Sequence, residues 1–101
     1  MLKSEALKTS KQDVVIVGGG GHIGLPLALV LTNIGHFVTA LDLNEQAVET
    51  INSGTMPFME EGAEKLLKQV LKTSRFVATT DMQVLADAEI IIICIGTPVD
   101  E

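Results

Sequence analysis

The chain has few aromatic side chains, a deficit of positive charge and a single cysteine, and each shortage removes a class of function. Aromatic residues make up 3% of its 101 residues, with three Phe and no Trp or Tyr. Surfaces that hold single-stranded nucleic acid stack bases on aromatic rings, and that platform is missing. Seven Lys and Arg against thirteen Asp and Glu leave a net charge of −6. Contact with a phosphate backbone needs a basic face, so no nucleic-acid partner is expected. The acidity is spread along the chain and serves solubility. The single cysteine, Cys94, cannot close an intrachain disulfide and has no zinc-like partners, so no metal site is expected. It fits a reducing, cytoplasmic location and reads as a small buried hydrophobe. No apolar run reaches the ~18 residues of a membrane span. Residues 1–12 are polar, carry no apolar signal core, and read as a tail.

What is present is a hydrophobic content of 47%, enough for one core, and a conspicuous glycine cluster. Asp13 to Gly18 reads as a strand, with four β-branched residues, Val14 to Val17, and no polar alternation, as in a strand buried on both faces of a parallel sheet. Gly18 to Gly21 turn the chain. From His22 to Asn33 the apolar spacing is helical, with Pro26 tolerated in the first turn because the N–H groups there have no internal partner. Gly35 closes that helix. His36 to Asp42 is a second strand, and the strand–helix–strand unit of about thirty residues suits a right-handed crossover.

Asn44 is placed to cap a helix that ends at Asn52-Ser53-Gly54. A loop, Thr55 to Gly62, leads into an amphipathic helix over Ala63–Lys72. Arg75 to Thr79 is a short strand, Asp81 caps a short helix, and Glu89 to Ile95 is the most strand-like stretch of all, five isoleucines around one cysteine. Alternating strands and helices predict an α/β fold. The expected form is a Rossmann-like, doubly wound parallel sheet of about four strands in the order 3-2-1-4, with helices on both faces. Residues 13–101 form one domain. Thr97-Pro98 stops just beyond a strand, which predicts a truncated piece of a longer polypeptide.

Within the cluster, Gly19, Gly21 and Gly24 spell G-x-G-x-x-G between a strand and a helix, the context a dinucleotide site requires. Gly19 serves the tight turn, Gly21 lets a diphosphate approach the backbone, and Gly24 lets helix and strand pack closely. The backbone N–H groups of His22 and Ile23 then meet the diphosphate at a helix N-terminus. Asp42, 18 residues beyond Gly24, stands where such folds place an acid for the adenosine ribose hydroxyls. A carboxylate there repels a 2′-phosphate, so NAD is expected over NADP. The alternative is that Asp42 only opens the turn before Asn44. The His22 ring lies at the phosphate end and is not expected to be catalytic. Glu60, Glu61 and Glu64 read as a solvated loop and helix start. Thr97 follows the last strand, within reach of a cofactor held at the strand ends.

Three stretches resemble the UDP-glucose/GDP-mannose dehydrogenase family. Val17 to Ala28 resembles its opening, a glycine motif followed by Gly-Leu-Pro. Asn52 to Gly62 resembles its N-x-G-x-x-P-[IF]-x-E-x-G signature, and Cys94 to Pro98 its apolar strand ending in Thr-Pro. The resemblance implies an NAD-dependent enzyme oxidising the C6 alcohol of a nucleotide sugar to a carboxylate in two hydride transfers, by way of a cysteine thiohemiacetal and thioester. It implies Gly19, Gly21, His22, Ile23, Gly24, Asp42 and Thr97 as NAD contacts, and a homodimer. A UDP-hexose or UDP-N-acetylhexosamine is the expected substrate. The family's catalytic cysteine, lysine and asparagine belong beyond Glu101, so no catalytic residue is assigned here. The chain departs from the family at His22, where an aromatic is usual, and at Gln46-Ala47, where a basic residue is often found. Other readings are a dehydrogenase of the 3-hydroxyacyl or 6-phosphogluconate kind, and a nonenzymatic nucleotide-sensing module.

Overall fold

A computed structural model describes residues 13–95 of the chain. The expected tail, 1–12, and Thr97 lie outside the described residues. Four strands form one parallel sheet: β1 (Asp13–Val17), β2 (Phe37–Leu41), β3 (Phe76–Thr79) and β4 (Ile90–Ile93). Their order is β3-β2-β1-β4, as predicted. Three α-helices, α1 (Gly24–Asn33), α2 (Glu45–Asn52) and α3 (Ala63–Leu71), and a 3-10 helix (Met82–Asp87) make the connections.

The local signals place these elements well. Asn44 caps α2 by accepting a hydrogen bond from the Ala47 N–H at 3.1 Å. Asp81 caps the following turn by accepting from the Gln83 N–H at 2.9 Å. That turn is 3-10 in form. The first helix begins at Gly24, two residues later than its apolar spacing suggests, because the glycine loop consumes His22 and Ile23.

One face of the sheet carries the core. Val14 and Ile16 of β1, Val38 and Ala40 of β2, and Phe76 and Ala78 of β3 point the same way, as period-two alternation requires. They bury against Leu25, Ala28 and Leu29 of α1, Val48 and Ile51 of α2, and Leu67 and Val70 of α3. The reason all three α-helices share a face is chirality. Two successive right-handed crossovers, β1 to β2 and β2 to β3, step in one direction and leave their helices on one side. The chain then reverses to place β4 beside β1, and the 3-10 helix crosses over the other face. The expectation of helices on both faces is met there, among the described residues, by this single turn.

β4 is the largest departure from the sequence reading. The four isoleucines that read as the firmest strand are mostly exposed, with Ile91 at 47% and Ile93 at 63%. Among the described residues β4 pairs with β1 and has no second neighbour. Cys94, expected to be buried, is half-buried for the same reason.

The outer edge at β3 is handled differently. In a parallel ladder alternate residues turn both N–H and C=O outward, and at Ala78 these groups face away from β2. Asn52, the last residue of α2, supplies the missing partner. Its Nδ2 donates to the Ala78 carbonyl at 2.8 Å and its Oδ1 accepts from the Ala78 N–H at 3.1 Å. The side-chain amide thus takes the place of a neighbouring peptide on an otherwise open edge. No helix among the described residues is long and apolar enough to cross a membrane.

Candidate cofactor site

The strand order reverses between β1 and β4, which stay parallel, and this opens a crevice at the carboxyl ends of the strands, where open α/β sheets hold their ligands. The glycine cluster lies across it. Gly18 adopts φ +83°, a backbone conformation L side chains rarely take, and a Cβ there would overlap the Cys94 carbonyl oxygen. The tight turn out of β1 therefore depends on Gly18, not on Gly19 as the motif suggests. Gly19 has a packing role, since a Cβ on it would stand 2.6 Å from both Cα and Cβ of Ala40. A Cβ on Gly24 would collide with the carbonyl oxygen of Gly18, which is the close helix–strand approach expected of that glycine.

Gly21 is different. A Cβ there would meet the carbonyl oxygen of Gly18 at 3.4 Å and no other atom within 4 Å. That flank is open, the cradle that an approaching diphosphate needs and that any side chain would begin to fill. Beside it, the N–H groups of His22 and Ile23 take part in none of the backbone hydrogen bonds among the described residues, while the flanking turns are closed. Gly21 N–H donates to Gly18 O at 3.1 Å and Leu25 N–H to Gly21 O at 3.0 Å. Two unused donors at the amino end of a ten-residue helix are suited to an anion.

Asp42 lies one residue past β2, at the predicted place. Its carboxylate already has two partners. Oδ2 accepts from the Gly20 N–H at 2.9 Å, and Oδ1 accepts from the Asn44 N–H at 3.0 Å. The second bond is the turn-opening role considered as the alternative. The first was not foreseen, and it ties the glycine loop to the end of β2. Each carboxylate oxygen has a further lone pair, so both jobs are compatible with receiving a ribose hydroxyl. Backbone bonds from Gly18 and Gly19 N–H to Leu41 O, at 2.8 and 3.1 Å, brace the same corner.

The loop of the second signature lies against the glycine loop through the Phe58 and His22 rings. Glu64, the second residue of α3, reaches back to accept from the Met56 N–H at 3.1 Å and pairs with Lys68 at 3.2 Å. These contacts hold its carboxyl below the ordinary carboxylate value, the backbone hydrogen bond from Met56 being the main cause. Glu60 and Glu61 are exposed, as expected. No group of three or more metal-ligating side chains occurs among the described residues.

Four residues of this region escaped sequence reasoning. Gly18 and Gly20 were hidden by the overlapping glycines of the cluster. Asn52 was read only as a helix end and a letter of the second signature, and Phe58 only as a letter of that signature.

A Gly-rich strand-to-helix turn at the switch point, with an acid ending the second strand, defines a dinucleotide-binding α/β domain. Residues 12–101 match the NAD binding domain of the UDP-glucose/GDP-mannose dehydrogenase family, and the chain belongs to that family. Its cofactor is accordingly NAD. It is 35% identical over 85 residues to the GDP-mannose 6-dehydrogenase of Pseudomonas aeruginosa, covering 83% of this chain and 20% of that protein. It is 34% identical over 85 residues to a UDP-glucose 6-dehydrogenase of Bacillus subtilis, covering 83% of this chain and 19% of the relative. The crystal structure of a ternary complex of the P. aeruginosa GDP-mannose dehydrogenase superposes with a TM-score of 0.80 at 35% identity, over 87% of this chain and 20% of that one. The UDP-D-ManNAc dehydrogenase of Pyrococcus horikoshii superposes at 0.81 and 30% identity, over 87% of this chain and 21% of that one. The chain thus spans about a fifth of the length of these relatives.

Proposed function

We propose that the chain is the cofactor-binding part of an NAD-dependent nucleotide-sugar 6-dehydrogenase, which oxidises the C6 alcohol of its substrate to a carboxylate and uses two NAD in doing so. The observation that carries this reading is the pairing of an open Gly21 flank with two unused N–H donors beside it, at a turn braced by Asp42. In this reading Gly19, Gly21 and Gly24 shape the diphosphate cradle. The His22 and Ile23 N–H groups donate to the diphosphate, and Asp42 accepts from the adenosine ribose. Thr97 contacts the cofactor from beyond β4. The carboxylate at Asp42, with Leu43 and Asn44 beside it, gives a 2′-phosphate no cation to meet, so NAD is preferred to NADP.

The second signature favours this family over a 3-hydroxyacyl or 6-phosphogluconate dehydrogenase. The named relatives act on GDP-mannose, UDP-glucose and UDP-N-acetyl-D-mannosamine, so the nucleotide base is the finer question. The proposed substrate is a UDP-hexose or UDP-N-acetylhexosamine, and the proposed full-length form is a cytoplasmic homodimer. The test is an activity screen of the full-length protein with NAD and a panel of UDP- and GDP-sugars. Two NADH per UDP-sugar is the expected result. One NADH per turnover, or none with any nucleotide sugar, overturns the activity. Turnover of GDP-sugars alone overturns the choice of base.

A further inference from the structure

The proposed diphosphate site uses the backbone of His22 and leaves its ring without a task. In the structure that ring stacks on Phe58, with centroids 4.1 Å apart and planes at 24°. The contact joins the glycine loop to the loop of the second signature. The Phe58 side is firmly held. Phe58 and Met56 are partly buried against the core. Thr55 N–H donates to Thr50 O at 3.1 Å, Met56 N–H to Glu64 at 3.1 Å, and Ala63 N–H to Glu60 O at 3.1 Å.

The glycine loop is held at both ends, and in its middle the Ile23 carbonyl accepts from Leu27 N–H at 3.3 Å while two N–H donors make no described backbone bond. At entry, Gly18 and Gly19 bond to Leu41 O and Gly20 bonds to Asp42. At exit, Leu25 N–H bonds to Gly21 O. Between them, the N–H groups of His22 and Ile23 enter none of the described backbone hydrogen bonds, and the Ile23 side chain is 70% exposed. This is the stretch whose donors must face a diphosphate. Donors that wander must be ordered when the ligand arrives, and that ordering subtracts from affinity. A ring stacked on an anchored neighbour restricts His22 beforehand.

We infer that Phe58 is a positioning residue for cofactor binding: its ring, packed on His22, holds the His22 and Ile23 N–H groups in the orientation the NAD diphosphate requires. Phe58 acts through His22 and is not assigned a contact with the cofactor. The inference rests on Gly19 to Gly24 being the diphosphate site.

The experiment uses the full-length protein and three probes: NAD, ADP, which retains the diphosphate, and adenosine, which lacks it. Phe58→Ala is expected to weaken NAD and ADP by about 3- to 10-fold, the worth of one aromatic stack, and to leave adenosine unchanged. Phe58→Leu keeps the apolar volume and the fold, and is expected to weaken both diphosphates similarly. Phe58→Tyr keeps the ring and is expected to restore wild-type affinity. His22→Ala combined with Phe58→Ala is expected to be no weaker than His22→Ala alone. Wild-type affinity for ADP in both the Ala and Leu variants overturns the inference, as does an equal loss for adenosine. A wild-type protein that binds neither NAD nor ADP overturns the diphosphate site itself, a separate failure.

Discussion

Replacing Asp42 by asparagine separates two roles that the geometry assigns to one carboxylate. In the wild type, Oδ2 accepts from Gly20 N–H at 2.9 Å and Oδ1 from Asn44 N–H at 3.0 Å. Asparagine offers one carbonyl oxygen and one NH2 group, so whichever way it turns, an N–H faces an N–H. One charge-assisted bond is lost and the other is weakened by loss of the charge. A hydrogen bond to a charged group contributes about 1.5–3 kcal/mol when well shielded. Asp42 is half-buried and Asn44 exposed, so about 1–2 kcal/mol is the expected loss of stability. In a domain of this size each 1 kcal/mol shifts Tm by about 4–8 °C, so apo Tm should fall by roughly 5–15 °C. The same variant removes the anionic acceptor for the ribose and loosens the glycine loop, and NAD affinity should fall roughly 10- to 100-fold. Thermal unfolding without ligand and NAD titration well below Tm read the two effects independently. An unchanged Tm would refute the structural bracing. An unchanged NAD affinity with a lowered Tm would reduce Asp42 to a turn anchor and refute the ribose assignment.

Gly19→Ala and Gly21→Ala should behave oppositely. The first forces a Cβ to 2.6 Å from Ala40 and should cost about 1–3 kcal/mol of stability in denaturant unfolding. The second meets only Gly18 O at 3.4 Å, so its denaturation midpoint should barely move while NAD binding is lost in the same titration. Asn52→Leu removes both bonds to Ala78 and should destabilise by about 1–3 kcal/mol. Asn52→Asp should be worse near neutral pH, where a carboxylate faces the Ala78 carbonyl, and should recover in acid once protonation restores a donor. Melting curves of the two variants at high and low pH check this. The lowered pKa of Glu64 means its contribution is complete above its ordinary value of 4.5 and is lost as pH falls through the lower folded value. The Tm gap between wild type and Glu64→Gln should therefore shrink from about pH 6 to about pH 3. A gap that widens in acid would contradict the assignment.

Most of the element order was legible because its causes are local. β-branched runs, helical apolar spacing, the caps at Asn44 and Asp81, and the G-x-G-x-x-G turn each act over a few residues. Their alternation implies parallel crossovers, and the glycine motif of a dinucleotide-binding fold then supplies the expected strand order. The three linked signatures carried the family for the same reason, since they are strings of letters in order.

What the sequence left open depends on pairs brought together by register. The Gly20–Asp42 bond spans 22 residues and the Asn52–Ala78 pair spans 26. The His22–Phe58 stack joins two loops that no periodicity links. The burial of β4 also escaped reading, because five isoleucines report apolar preference but not which neighbours reach them; in the fold they sit at a sheet edge, largely exposed. By itself the sequence determined the strands, the helices, their alternation and the glycine turn, because short-range sterics and side-chain spacing decide those. Only the tertiary structure decided that Gly18 takes the left-handed turn, that Asp42 braces the loop it was expected to serve, and that Phe58 supports His22. Such contacts exist only once the parallel register of β1, β2 and β3 has brought distant loops to the same end of the sheet.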